Sequence, residues 1–239
     1  MSPVFNFFWE PYAQTPIAFI AIEFIAMAFG IISVFYAKKE NIWVYPTGII
    51  STGLYVYLLA QWQMYGDLII NIYYTLMSLY GWWMWSKVVN QNTHSHLQIT
   101  RNTLQDNLKS IGIFVFTSVF VIAVYRYHNV MPNQLGFAES INFAWDHISS
   151  GKLENIRKAM PFLDTFTTGA AFVAMWLMAN KKLQSWSMWI VVNTASIPLY
   201  FIKGYGFTGI QYTVFLILAF YGYKEWKQIL NKNQSTLSK

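Results

Sequence analysis

Residues 185–201 read SWSMWIVVNTASIPLYF, and within them Trp186, Trp189, Asn193, Ser196 and Tyr200 recur at spacings of three and four. That spacing places all five on one face of a helix. Two indoles followed by an amide and two hydroxyls suit a flat polar solute, because a ring stacks on tryptophan while the amide fixes its orientation. The same residues also suit a structural helix whose tryptophans anchor at a lipid interface and whose asparagine bonds a neighbouring helix. Gln211 and Tyr212 open the next apolar run, and Asn71, Thr75, Ser78 and Trp82 form a comparable stripe earlier in the chain. Amides carried into hydrocarbon must find partners. Several of them on separate segments point to a neutral polar cavity between helices near the bilayer midplane.

Glu23 and Asp164 stand out as carboxylates within apolar runs, and intramembrane acids are functional suspects. Asp164 lies in PFLDT, where Pro161 suits a first helical turn. Asp164 then either satisfies free amides at the helix's positive end or meets a cationic substrate. Glu23 reads as an interhelical or protonated structural residue. No nucleophile and base sit together inside the apolar shell, so intramembrane catalysis has little support. His94, His96, His128 and His147 all fall in loops, HSH lacks metal-ligand spacing, and no glycine-rich phosphate loop is present. No cofactor is expected. The chain has no cysteine, which excludes thiol chemistry and disulfides.

These residues must be held by elements suited to lipid. The 239 residues are 55% hydrophobic and only 11% charged, against about a quarter charged in a soluble domain. Seven apolar segments are long enough to span a bilayer: approximately 17–36, 43–60, 66–85, 110–127, 161–179, 186–202 and 206–223. Residues 129–160 read as a polar excursion with a short surface helix, and residues 1–16 as an interfacial lead-in. Of the 16 Lys and Arg, eleven fall in one set of alternating loops. The positive-inside rule then puts the C-terminus in the cytoplasm and the N-terminus outside. The cations are scattered at segment ends and line no face, so nucleic acid is not an expected partner.

Internal matches pair KKENIW (38–43) with KKLQSW (181–186) at a separation of 143, and YGWWMW (80–85) with YGYKEW (221–226) at 141. The expected fold is an all-α integral membrane protein of seven transmembrane helices in one domain. A first three-helix bundle (17–85) and a second (161–223) are joined by a linking helix (110–127), a 3+1+3 parallel repeat. At 143 residues Trp189 falls opposite Pro46, so the halves are not expected to bind identically; Pro46 and Pro198 are candidate pivots.

GWWMW closing the third segment and WSMWIVVN opening the sixth, with PFLDT and the Gln211–Tyr212 pair, resemble the PnuC family of bacterial vitamin B3 transporters over about residues 17–226. The resemblance implies a homotrimer of SWEET-like build in the bacterial inner membrane that carries nicotinamide riboside. It makes Trp186, Trp189 and Asn193 the leading substrate contacts, with Gln211, Tyr212 and Asn71 beside them; Asp164 and Trp82 complete the candidate set. A cationic ring and a carboxamide suit these side chains. Apart from Arg126 at the end of the fourth, the apolar spans show no Arg or Lys for a phosphate, so the mononucleotide is expected to bind poorly. A cytosolic kinase that phosphorylates the riboside would make facilitated diffusion directional. A SWEET-like sugar or nucleoside carrier is the competing transporter reading, and a receptor or assembly subunit is the competing reading outside transport.

Overall fold

The computed structural model describes residues 3–62, 65–90 and 95–237; His94 and Lys239 lie outside them. The chain forms α1 (Pro3–Trp9), a 3-10 turn (Glu10–Tyr12), α2 (Ile17–Lys38), α3 (Val44–Gln61) and α4 (Tyr65–Ser86). A short antiparallel pairing of β1 (Val88–Asn90) with β2 (Ser95–His96) follows. Then come α5 (Leu104–Tyr127), α6 (Phe137–Ser149), α7 (Leu153–Ala179), α8 (Gln184–Lys203) and α9 (Gly206–Leu237).

Each expected apolar segment coincides with a helix, save that Trp43 precedes α3, and α6 lies in the expected excursion. The boundaries differ where capping decides them. Thr103 and Asp106 close a capping box, so α5 begins at Leu104. Lys152 precedes α7, which starts at Leu153 and leaves Pro161 in the helix interior. Asp164 therefore has no free first-turn amides to cap, and that structural reading of it is withdrawn.

Three helices, α2, α5 and α7, are long and apolar enough to cross a membrane by themselves, among the described residues. The other long helices, α3, α4, α8 and α9, span 18, 22, 20 and 32 residues. Their mean hydropathy is lowered by hydroxyls and amides, many of which they turn toward one another.

Helix α2 packs on α3 and α3 on α4; α7 packs on α8 and α8 on α9. Contacts of α2 with α9 and of α4 with α7 close these six into a ring. At the α4–α7 seam Tyr73 stacks on Phe172 at 3.6 Å and donates its hydroxyl to the Phe172 carbonyl. Outside the ring, α5 lies on α7. Gly169 permits that approach: a Cβ there would meet Ser118 and Phe114 at about 3 Å.

One end of the ring is closed by aromatic residues. The Tyr45 ring meets Trp85 edge-on at 5.1 Å, and Trp186 meets Trp226 edge-on at 5.7 Å. The Trp85 indole donates to the Ala179 carbonyl, and the Trp226 indole donates to the Ala37 carbonyl. Both carbonyls accept at the C-terminal ends of α7 and α2, where carbonyls lack their full set of helical partners; the Ala37 carbonyl also accepts from the Glu40 N–H. Glycine makes the packing possible, since a Cβ at Gly81 would strike the Tyr45 ring and one at Gly222 the Trp186 ring.

Helices α2 and α7 end alike. Each is followed by a residue in the left-handed region, Glu40 (φ 54°) and Lys181 (φ 49°). These residues are 141 apart, and Lys181 Nζ lies 2.7 Å from Glu40 Oε1. The two KK doublets, 143 apart, are thus displaced by two residues from corresponding places. Trp189 corresponds to Gly48 at the observed spacing, not to Pro46. Pro46 lies in the first turn of α3, whereas Pro198 stands inside α8.

Candidate functional site

The six-helix ring encloses a cavity of about 930 Å³. Its aromatic end reaches Tyr45 and Trp186; its acidic end reaches Glu23, Asp67, Asp164 and Lys203. The whole predicted stripe of α8 lines it: Trp186, Trp189, Asn193, Ser196 and Tyr200. Helical periodicity alone was enough to bring these five together.

Their environments differ in a way that separates their roles. Trp186 is 1% exposed and belongs to the packed aromatic end, although its indole N–H has no partner. Trp189 is only partly buried and meets Tyr74 of α4 edge-on at 6.3 Å. It is the indole with a face to offer. Asn193 is 2% exposed and its amide oxygen is unpartnered, an uncommon and costly state for a buried acceptor. A ligand donor would satisfy it.

Gln211 and Tyr212 of α9 and Asn71 of α4 also line the cavity. Tyr55 donates to Gln211 Oε1 at 3.3 Å, Tyr212 stacks on Tyr200 at 4.8 Å, and Asn71 donates back to the Asp67 carbonyl. Trp82 is the exception, because it is 41% exposed and does not line the cavity. The lining row of α4 is Asp67, Ile70, Asn71, Tyr74 and Ser78. At 100° per residue this row continues to the buried Trp85, leaving Trp82 and Thr75 on its flank. Trp82 is accordingly removed from the candidate contacts, and Thr75 instead bonds Thr52.

Four features escaped the sequence reading, among them Asp67, which stands in the first turn of α4 and lines the acidic end. Tyr45 lines the aromatic end, 3% exposed, with its hydroxyl unpartnered. Its signal was faint, a tyrosine whose place depends on Gly81 of another helix. Tyr12 donates to Glu23 at 2.9 Å, so the lead-in folds over the acidic end. Burial, then the Glu23 carboxylate, hold the Tyr12 phenol well above its ordinary range, keeping it a donor. Lastly, Lys203, assigned to a loop by hydropathy, closes α8 and lines the cavity, where Asp164 chelates it at 2.8 and 2.7 Å. The expectation of a cavity without Lys or Arg is corrected: among the described residues Lys203 lines it, already paired.

Residues 20–228 match the family described as nicotinamide mononucleotide transporter. The chain is 23% identical over 209 residues to the nicotinamide riboside transporter PnuC of Escherichia coli (strain K12), covering 86% of this chain and 84% of that one. It is 26% identical over 216 residues to the PnuC of Neisseria mucosa, covering 87% and 73%. The riboflavin/roseoflavin transporter RibM of Streptomyces davaonensis is 19% identical over 204 residues, covering 85% and 83%. The fold is similar to the crystal structure of the vitamin B3 transporter PnuC, with TM-score 0.61, 22% identity, and coverage of 88% and 82%.

Proposed function

Because the chain belongs to the nicotinamide mononucleotide transporter family, a family of multi-pass membrane proteins, we propose that it imports nicotinamide riboside through the six-helix ring. The observation that carries this reading is the wall itself. Trp189 offers a stacking face, Asn193 an open amide acceptor, and Gln211 a second amide, all on one cavity. The pyridinium ring stacks on Trp189, the carboxamide and ribose hydroxyls meet Asn193, Gln211 and Asn71, and Tyr200 and Tyr212 extend the aromatic wall. Trp186 supports Trp189 from the packed end and offers its N–H.

Seven transmembrane helices in a 3+1+3 parallel repeat form the carrier as a single membrane domain, α2–α4 and α7–α9 being the bundles and α5 the link. Residues 141 apart support this: Tyr45 and Trp186, Gly81 and Gly222, Trp85 and Trp226 make the same kinds of contact. Glu23 and Asp164 share that spacing at the acidic end. The lysines at the ends of α2 and α7 support an orientation with the aromatic end on the cytoplasmic side and the N-terminus outside. Rocking of one bundle against the other exposes the site alternately. Transport is facilitated diffusion made directional by a cytosolic riboside kinase, in the bacterial inner membrane. Assembly as a homotrimer is carried over from the PnuC resemblance.

A flavin is the second reading, favoured by a cavity far roomier than one riboside needs and by the likeness to RibM. Calorimetry on the purified chain, with riboside, riboflavin and a hexose, followed by riboside flux into liposomes, tests the choice. Riboside binding and saturable flux are expected. Binding of flavin or sugar in its place would overturn the riboside reading.

A further inference from the structure

The charged residues of the cavity wall, among the described residues, all lie at its acidic end: Glu23, Asp67, Asp164 and Lys203. Three carboxyl groups thus face one ammonium. Glu23 is engaged by Tyr12. Asp67 stands in the first turn of α4 and within electrostatic reach of both Asp164 and Lys203. Lys203 stands in the last turn of α8, where the helix dipole favours a cation. Both of its short contacts go to the two oxygens of one carboxylate, Asp164, with the side chains 26% and 20% exposed.

We propose that the Asp164–Lys203 pair sets the charge selectivity of the cavity: Asp164 occupies the ammonium that a substrate phosphate would need. This rests on the riboside reading above and deepens it. A phosphate monoester carries close to two negative charges at neutral pH, and recognition of such a group calls for Arg, Lys or a helix N-terminus. To reach Lys203 a phosphate must displace Asp164, which leaves that carboxylate unpaired beside Asp67. The phosphate then faces three carboxyl groups, and like charges at close range repel. A riboside, whose only charge is its cationic ring, meets the opposite balance as it passes this end on the way to Trp189. The pair therefore discriminates between two molecules that share a nicotinamide and a ribose.

The test uses the full chain in detergent, titrated with nicotinamide riboside, its uncharged dihydro form and nicotinamide mononucleotide. Wild type is compared with Asp164→Asn, Lys203→Gln and the double variant. Wild type should bind riboside better than the dihydro form and better than the mononucleotide. Asp164→Asn frees Lys203 and should move the riboside-to-mononucleotide affinity ratio toward the mononucleotide by about tenfold or more. Lys203→Gln should move it the other way, and the double variant should return it close to wild type. The Lys203→Gln arm keeps the proposal open to refutation if Asp164→Asn does not fold. An unchanged ratio in the folded single variants, with riboside binding intact in wild type, would overturn the charge account and leave the transport reading standing. Absence of riboside binding by wild type would remove both.

Discussion

Asn193 and Trp186 look alike as candidates in the sequence and differ in what their loss would do. Asn193 has a buried acceptor with no partner, so Asn193→Leu removes an unmet polar atom and should leave the melting temperature unchanged or raised. Riboside affinity should fall by about ten- to a hundredfold, read by calorimetry. Trp186→Ala, in contrast, empties a packed position at 1% exposure and should cost about 3–5 kcal/mol of stability. Trp186→Phe is the informative change, keeping most of the packing while deleting the unpartnered N–H. The α8 stripe was legible because one helix's periodicity fixes which of its side chains share a face. Trp82 was misread because a large aromatic on the flank of that face satisfies the same loose spacing. Tyr45 was invisible because its position is set by Gly81, 36 residues away.

Among the helices, α7 departs furthest from its sequence expectation. Hydropathy located its apolar part, but the polar turns from Leu153 to Met160 continue the same helix, and Pro161 is accommodated within it. The consequence falls on Asp164, which the earlier start carries from a capping place to the wall of the cavity. Helix α9 is governed by a glycine. A Cβ at Gly222 would lie 2.6 Å from three atoms of the Trp186 ring. Gly222→Ala should therefore push the indole out of its seat, costing about 1–3 kcal/mol. The check is a lowered melting temperature together with weaker riboside binding. The sequence showed YGWWMW and YGYKEW as a match without showing why glycine belongs there, since the reason is a ring contributed by another helix.

For the assembled chain, hydropathy was enough to locate the long helices in sequence, while the closed ring was not legible, because contacts of α2 with α9 and α4 with α7 join residues far apart in sequence. The absence of cysteine makes the proposed orientation directly testable. A membrane-impermeant maleimide applied to intact cells should label Phe137→Cys on α6 and leave Asn231→Cys unlabelled until the membrane is opened. The reverse pattern would invert the topology and move the acidic end to the cytoplasm.

The exchanged indole bonds at the aromatic end have a consequence for what crosses when no substrate is present. Trp85 holds the end of α7 while Trp226 holds the end of α2, so the two bonds form a closed circuit and not a hinge. A rotation that stretches one loads the other, and the pair parts in a single step or stays shut. On the transport reading proposed above, the two bonds are expected to part together, which would limit a half-open state through which water and protons leak.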